Sequence, residues 1–435
     1  MTTKRTLMSR LLVCAALVMA LCFSAALPTL AANLSEGTEA NPAEAAVTKI
    51  LKMPVGTITP AIAFKFEFDE LEVDGTPYVS SPANMPPILD KAIDFSSGFT
   101  TEDAGAATGI KIVRKESANI VAGVTWPHAG VYVYKVTETQ SITPAVGAGE
   151  TVTYSKAEYE ISVYVENKTG GGYYVQYIEA RRTKTDAGTA EPGKPKVDPT
   201  PGGDDENYFY SQMIFINEYA KTNGGTDPEI PAHTVLSISK TVTGLGSNQT
   251  TKYFPFEVTV TKPAVGVAGP KTYKAYVVDA SGIVSPIGTE ITAAANVKTD
   301  GSGKQYIEVT SGTKVDVSLR HGQRLAFMDL EVGASFTVTE KGDPDYKPSY
   351  SLVLNGGAPV TQNPGTVNTP LTIPSSYIGE AANSAAYTNT RNTTTPTGIN
   401  VDTLPYFALI GVVLASFAGF AVFKARKRAK QRTFS

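Results

Sequence analysis

Residues 236–243 read LSISKTVT, and this stretch decides the class of fold. Apolar and hydroxyl residues alternate along it, and a period of two is typical of a half-buried β-strand. Leu236, Ile238 and Val242 share one face, and the alternation places Lys240 on that same apolar face. Burial of an unpaired charge is costly. The lysine therefore requires a partner, or a chemical reaction that removes its charge.

The same alternation recurs along the body of the chain. Further examples are residues 64–68, 131–134, 159–165 and 256–260. Short strands separated by Gly- and Pro-containing turns predict β-sandwiches, and we expect helix only as a turn or two near residues 86–92. The predicted fold is all-β: two tandem immunoglobulin-like, Greek-key β-sandwich domains, with an N-terminal signal peptide and a C-terminal transmembrane sorting segment.

Composition sets the predicted domain limits. Residues 221–232 read KTNGGTDPEIPA, which is polar, rich in Gly and Pro and typical of a short linker. It separates a predicted N-terminal domain, residues 33–220, from a C-terminal domain, residues 233–390. The remaining segment, residues 391–435, is the predicted sorting region.

The N-terminus predicts export. Lys4, Arg5 and Arg10 precede an uncharged apolar run over residues 11–26, and small residues follow. This order indicates a secretory signal peptide, residues 1–32, rather than a membrane anchor, for which the run is short.

The C-terminus predicts a membrane-spanning intermediate. Residues 404–423 are uncharged and apolar over a length that crosses a bilayer. The basic tail, residues 424–435, belongs on the cytoplasmic side, so the body lies outside. Residues 394–398 read TTPTG, and a Pro-Thr-Gly element before a span and a basic tail resembles a sortase cell-wall sorting signal. It departs from the commonest Leu-Pro form and is closer to a Val-Pro-Thr-Gly version. A linker turn before an ordinary membrane anchor is the alternative.

Composition also excludes several classes of function. Cys14 and Cys22 both lie in the predicted signal peptide, so the mature chain has neither a disulfide nor a catalytic thiol. Residues 33–398 hold 29 basic and 40 acidic residues, a balance that repels nucleic acid. The histidines lie far apart and form no metal or catalytic motif; they are His128, His233 and His321. We expect no cofactor and no metal. A surface enzyme such as a glycosidase is disfavoured because no paired-carboxylate motif stands out.

A weak internal repeat places three polar residue types in the same order in each half. Each half opens with a strand that holds a lysine, continues to a Val-Thr-Glu strand end and closes with an apolar strand ending in Asn. Alternation turns all of these residues toward the core. They are Lys49, Glu138 and Asn217 in the first half, and Lys240, Glu340 and Asn389 in the second.

Two interpretations account for such a buried set. The simpler one is a Lys–Glu ion pair with Asn as a hydrogen-bond partner. In the other, burial lowers the lysine pKa and raises the glutamic acid pKa. A neutral amine is then a nucleophile toward the Asn carbonyl, which the protonated Glu polarises while it transfers the proton. Ammonia leaves, and an isopeptide bond joins the first and last strands of each domain in place of disulfides.

The chain resembles the two-domain shaft pilins of Gram-positive bacteria, the streptococcal pilin isopeptide-linkage family. The resemblance rests on residues 319–340 and on the segment PTGINVDTLPYFAL at residues 396–409. In the first of these stretches the matching residues are Gly322, Leu325, Leu330, Gly333, Phe336 and Glu340. It implies a Lys49–Asn217 bond formed with Glu138, and a Lys240–Asn389 bond formed with Glu340.

The resemblance also implies a function. A sortase cleaves between Thr397 and Gly398 and joins the new carboxyl group to a lysine of the next subunit. The implied partners are sortase, neighbouring pilin subunits, peptidoglycan, an unnamed host surface ligand and, before sorting, the membrane. The implied location is the cell wall. The chain is then a sortase substrate, and its own catalysis is limited to single-turnover isopeptide formation.

The lysine that accepts the next subunit is not evident. In the family it lies a few residues before the first-domain Asn, where this chain has Tyr210. Residues 183–206 are predicted to form an exposed loop, and its Lys194 and Lys196 are the candidate acceptors. The alternative function is a wall-anchored adhesin or accessory pilus subunit that does not polymerise.

Overall fold

The computed structural model describes most of the predicted body of the chain. The described residues are 35–79, 84–103, 108–202, 210–244, 246–292 and 294–391, with Ser416, Phe420 and Lys424. The predicted signal peptide, the 394–398 motif and nearly all of the predicted span lie outside them. Within the described residues, no helix has the length and apolar character needed to cross a membrane.

The N-terminal half is built from thirteen strands. They are β1 (Ser35–Glu36), β2 (Thr48–Pro54), β3 (Ala63–Val73), β4 (Thr76–Pro77), β5 (Lys91–Asp94), β6 (Thr100–Asp103), β7 (Ile110–Glu116), β8 (Gly130–Thr143), β9 (Glu150–Thr153), β10 (Glu158–Asn167), β11 (Tyr173–Lys184), β12 (Lys196–Val197) and β13 (Ile214–Lys221). One sheet has the order β1-β11-β10-β8-β3-β4, with β12 paired to β11 and β5 to β3. The other has the order β6-β7-β2-β13-β9.

The C-terminal half adds twelve strands and the two 3-10 turns of the described residues, Pro231–His233 and Ala294–Asn296. The strands are β14 (Leu236–Thr243), β15 (Phe254–Thr261), β16 (Thr272–Val278), β17 (Val297–Thr299), β18 (Gln305–Thr310), β19 (Lys314–Leu319), β20 (Arg324–Phe327), β21 (Ser335–Glu340), β22 (Tyr346–Val353), β23 (Val360–Gln362), β24 (Leu371–Tyr377) and β25 (Asn383–Arg391). The sheet orders are β17-β18-β16-β20-β14-β25-β22-β23 and β19-β15-β21-β24.

Each pair of sheets encloses its own apolar core. In the first half, Leu51 and Phe215 from one sheet pack with Phe66 and Tyr132 from the other. In the second half, one continuous cluster likewise joins side chains of both sheets. Alternating strands such as β14, whose side chains are buried at every second position, supply these cores. The predicted all-β fold of two β-sandwiches is confirmed.

In each half the first and last long strands of the sandwich are hydrogen-bonded neighbours that run parallel. β2 pairs with β13 so that Leu51 lies opposite Asn217. β14 pairs with β25 so that Val242 lies opposite Asn389. In both halves the lysine therefore lies two residues before the position that faces the asparagine.

The two halves contact each other through polar groups around the end of β13. Lys221 Nζ lies 3.0 Å from Glu380 Oε2, and Glu380 Oε1 accepts a 2.8 Å hydrogen bond from the backbone amide of Ile58. Asn223 Nδ2 donates to the Gly379 carbonyl at 2.7 Å. The segment after β13 is thus fastened to the second half by specific contacts.

One local prediction is wrong. Residues 86–92 form no helical turn; Lys91 and Ala92 begin β5 and pair with β3. The described part of residues 183–206 is largely irregular and exposed, as predicted, except that β11 continues to Lys184 and β12 folds back onto β11. Hydrogen bonds to a neighbouring strand edge hold both segments, and local sequence does not reveal that edge.

Candidate functional site

The first site lies between the two sheets of the N-terminal sandwich. Lys49 on β2 and Asn217 on β13 come from one sheet, while Glu138 on β8 comes from the other. Lys49 and Asn217 are 0% exposed and Glu138 is 6% exposed. Alternation along each strand directs these polar side chains into the core, where the two sheets bring them together.

Glu138 bridges the other two side chains. Lys49 Nζ donates to Glu138 Oε2 at 2.6 Å, and Asn217 Nδ2 donates to Glu138 Oε1 at 2.5 Å. The Asn217 carbonyl oxygen accepts a 2.6 Å hydrogen bond from the backbone N–H of Ser155. The amine and the amide group therefore share one carboxyl group that can carry a proton between them.

The second site repeats this arrangement in the C-terminal sandwich. Lys240 on β14 and Asn389 on β25 belong to one sheet, and Glu340 on β21 belongs to the other. Lys240 Nζ donates to Glu340 Oε1 at 2.7 Å, and Asn389 Nδ2 donates to the same oxygen at 2.6 Å. Lys240 and Glu340 are 0% exposed.

The cross-strand partner of the glutamate is also the same in both sites. Glu138 lies opposite Phe66 on β3, and Glu340 lies opposite Phe256 on β15. Two residues before each of these phenylalanines, a second ring lies against the amine. Lys49 Nζ is 4.5 Å from the centroid of Phe64, and Lys240 Nζ is 4.5 Å from that of Phe254. Aromatic rings thus seal each amine from water.

Burial shifts the pKa of both amines toward neutrality. Loss of solvation lowers the pKa of Lys49 to about 8, although its attraction to Glu138 opposes the shift. The pKa of Lys240 falls to about 8 for the same reason, against the opposing attraction of Glu340. Near neutral pH each amine can therefore give up its proton within the site at modest cost.

The carboxyl groups shift in the opposite direction. Loss of solvation raises the pKa of Glu138, although Lys49 and Asn217 lower it. It raises the pKa of Glu340 in the same way. Since the amine and carboxyl pKa values approach each other, proton transfer from ammonium to carboxylate within each pair becomes accessible.

The second site differs from the first in how its oxygens are satisfied. Within the described residues, Glu340 Oε2 and Asn389 Oδ1 are buried and have no hydrogen-bond partner. Leaving such atoms unpaired costs about 1–3 kcal/mol each. A proton on Glu340 Oε2 would turn one of these unpaired acceptors into a donor.

The remaining predicted site residues lie apart from these clusters. The Lys194 side chain is 47% exposed and forms an ion pair with Glu160. The Lys196 side chain is 44% exposed and is paired with Glu179. Tyr210 is 2.6 Å from Thr100 through their hydroxyl groups. Thr397 and Gly398 lie outside the described residues.

Sequence reasoning missed three contributors to the sites. Phe64 and Phe254 were visible as repeated strand residues, and their equivalent places in the two halves could have indicated a shared role. Ser155 lies in the connection between β9 and β10. It acts through its backbone N–H, which no side-chain motif reports.

Comparison with protein families gives two matches that follow the two halves of the chain. Residues 45–190 match the family described as the Spy0128-like isopeptide containing domain. Residues 234–391 match a domain of unknown function, DUF7601. The first match includes Lys49 and Glu138 and confirms the resemblance to Gram-positive shaft pilins that the sequence motifs indicate. No curated protein sequence matches the chain.

Several solved structures align along most of the chain. The major pilin from Streptococcus pyogenes is 19% identical, with 81% of this chain and 99% of that chain covered and a TM-score of 0.29. The T3.2 major pilin from the same organism is 20% identical, with 80% and 98% covered and a TM-score of 0.29. A pilus-presented adhesin is 12% identical, with 80% and 99% covered and a TM-score of 0.23. A likeness at this level says nothing about function.

Proposed function

We propose that this chain is a sortase-anchored surface pilin subunit, stabilised by autocatalytic Lys49–Asn217 and Lys240–Asn389 isopeptide bonds. One observation carries the proposal. Both sandwiches place a buried lysine and a buried asparagine on adjacent parallel strands, with one glutamate hydrogen-bonded to both from the opposite sheet. A stabilising ion pair alone does not require an amide beside the amine in both domains.

The bond forms in a sequence of balanced steps. Glu138 accepts a proton from the Lys49 ammonium group, which leaves a neutral amine beside a neutral carboxyl group. The amine nitrogen attacks Cγ of Asn217, and Nδ2 departs as ammonia with a proton delivered through Glu138. Glu340 performs the same transfer between Lys240 and Asn389. Each bond consumes its own reactants, so the chain is not a turnover enzyme.

The position of the bonds suits a fibre that carries tension. Each bond joins the first and last long strands of its sandwich, which are parallel neighbours. A pull along the chain is then carried across the strand pair by a covalent bond. Both cysteines lie at positions 14 and 22, so disulfides cannot supply this tie in the mature chain.

Assembly follows from the C-terminal sorting region. Sortase cleaves between Thr397 and Gly398 and joins Thr397 to a lysine of a neighbouring subunit, and the last transfer joins the fibre to peptidoglycan. The exposed Lys194 and Lys196 are the candidate acceptors. Their ion pairs are at the surface, where such pairs contribute little and open readily. The mature chain therefore lies at the cell wall and leaves the membrane on sorting.

The assembly proposal is tested by an immunoblot of cell-wall extract boiled in detergent. A ladder of high-molecular-weight bands is expected for a covalent polymer. Lys194→Arg and Lys196→Arg keep the charge and remove the acceptor amine, so loss of the ladder in one variant identifies the acceptor. Thr397→Ala is the control that blocks sorting itself.

The alternative is a wall-anchored adhesin or accessory subunit that keeps the internal bonds but does not polymerise. Tyr210 favours it, because it stands where the family resemblance places an acceptor lysine. A single band near the mass of the mature chain supports this alternative and contradicts the shaft role. A ladder that persists when both lysines are replaced points to a different acceptor.

A further inference from the structure

Ser155 brings a backbone donor to the atom that changes charge in the first site. This residue lies between β9 and β10, is 2% exposed, and donates its N–H to Asn217 Oδ1 at 2.6 Å. When an amine attacks an amide carbon, negative charge develops on the carbonyl oxygen. The Ser155 N–H already points at the oxygen that would receive that charge.

Contacts on all sides of Ser155 hold this donor in place. Its hydroxyl donates to Asp186 Oδ1 at 2.6 Å and accepts the N–H of Ala157 at 3.1 Å. Its carbonyl accepts Gln140 Nε2 at 2.9 Å. A donor fixed before the reaction needs no reorganisation when charge appears, which is the basis of oxyanion stabilisation.

Asp186 connects the donor to the strand that carries the reacting amide. The same oxygen that accepts the Ser155 hydroxyl also accepts the backbone N–H of Ile216 at 2.7 Å. Ile216 directly precedes Asn217 on β13. Asp186 therefore fixes the distance between the Ser155 N–H and the Asn217 carbonyl without touching either reacting atom.

The second site has no equivalent donor among the described residues. Asn389 Oδ1 is buried there without any hydrogen-bond partner, although the lysine, glutamate and asparagine repeat the first site. Glu340 contacts that amide through Nδ2, which donates to Oε1 at 2.6 Å. The two sites thus share their reactants and differ in what stabilises the oxyanion.

We propose that the Ser155 backbone N–H is a catalytic group specific to the first isopeptide bond, and that Asp186 is its positioning residue. This rests on the proposed function. As Lys49 Nζ bonds to Cγ of Asn217, the carbonyl electron pair moves to Oδ1, where the N–H stabilises it. When the pair returns, the Cγ–Nδ2 bond breaks and ammonia leaves with the proton that Glu138 transfers.

The direct test replaces this N–H alone. Cell-free translation of the full chain, with the matching α-hydroxy acid at position 155, substitutes an ester oxygen for the N–H and keeps the side chain. Samples are quenched in denaturant over time and digested, and both cross-linked peptides are quantified by mass spectrometry. The first bond should form about 100-fold more slowly, the usual effect of losing one oxyanion donor, while the second keeps its rate.

The matched control is the same ester at Lys168. The Lys168 N–H donates to the Gly172 carbonyl at 2.9 Å in the turn between β10 and β11 and contacts neither Asn217 nor Asp186. Its loss should leave the first bond near the wild-type rate. Equal slowing by the two esters, or no slowing by the Ser155 ester, overturns the proposal.

Side-chain variants keep the proposal testable if an ester-containing chain does not fold. Ser155→Ala retains the N–H and loses its tether to Asp186, so the first bond should slow by about 10-fold, the rate equivalent of one hydrogen bond. Ser155→Thr keeps a hydroxyl group and should restore the rate. A first bond unaffected by Ser155→Ala contradicts the positioning role. Absence of both bonds from the wild-type chain instead refutes the proposed function.

Discussion

Replacing Lys240 by methionine should remove the second bond with little other damage. Methionine keeps an unbranched side chain against Phe254 and brings no charge into the core. The bond from residue 240 to residue 389 closes a loop of about 150 residues, for which the chain-entropy relation gives about 5 kcal/mol. For a domain of this size that loss corresponds to a fall of about 10–20 °C in the unfolding midpoint.

Calorimetry of residues 33–391 provides the assay. Mass spectrometry should first show that Lys240→Met retains the first bond and has lost the second. The matched control is Lys298→Met on β17, where the lysine side chain is exposed and its replacement should change the midpoint by little. If Lys240→Met lacks the bond but unfolds within a few degrees of wild type, the stabilising role assigned to the bond is wrong.

Glu340→Gln extends the same experiment. It removes the proton carrier and leaves Lys240 buried and unreacted. Loss of solvation lowers the pKa of that amine against the opposing attraction of Glu340; the substitution removes this attraction and leaves the amine buried without a charged partner, which destabilises the fold. Glu340→Gln should therefore unfold at or below the midpoint of Lys240→Met. A higher midpoint would mean that the amine is not held in a desolvated site.

Three further outcomes follow from the structure. The rate of bond formation should have a bell-shaped pH dependence. In acid, each Lys–Glu pair carries a second proton, so both of its groups are protonated. Above about pH 8, Lys49 and Lys240 lose the proton that the departing ammonia takes up. A rate that keeps rising above pH 9 in time-resolved mass spectrometry contradicts the shared-proton mechanism. Glu380→Ala removes the ion pair with Lys221. X-ray scattering should then show a wider spread of interdomain angles, while both isopeptide bonds still form. An unchanged scattering profile would show that this ion pair does not hold the two domains in place. Arg324→Met removes hydrogen bonds of 2.7 and 2.8 Å to two linker carbonyls. Urea unfolding should show that the free energy of unfolding of the second domain falls by about 2 kcal/mol. An unchanged free energy would mean that water replaces these two hydrogen bonds.

Strand periodicity predicted which polar side chains of the two sites face the core. Alternation turned Lys240 and Glu340 toward the core, and both side chains are fully buried. The repeat in chain order matched Lys49 with Lys240, and the two lysines have the same strand register relative to their asparagines. A period of two carries this information because it fixes the side of the sheet that each residue faces.

The remaining features depend on contacts distant in sequence. Ser155 contributes a backbone group from a connection, and Asp186 acts through a hydrogen bond to another segment, so neither has a periodic signal. β12 exists because it meets the free edge of β11, and its two residues have no strand pattern of their own. Sheet edges and connections are thus where the sequence was least informative.

The intact mass of residues 33–391, followed by fragmentation of its cross-linked peptides, tests the central claim most directly. Two bonds predict a mass lower than the sequence mass by two molecules of ammonia, with one branched peptide joining residues 49 and 217 and another joining residues 240 and 389. The deficit should fall by one ammonia in Lys49→Ala and in Lys240→Ala, and by two when both are changed. A wild-type chain at its full sequence mass would show that the buried sets are ion pairs and contradict the covalent account.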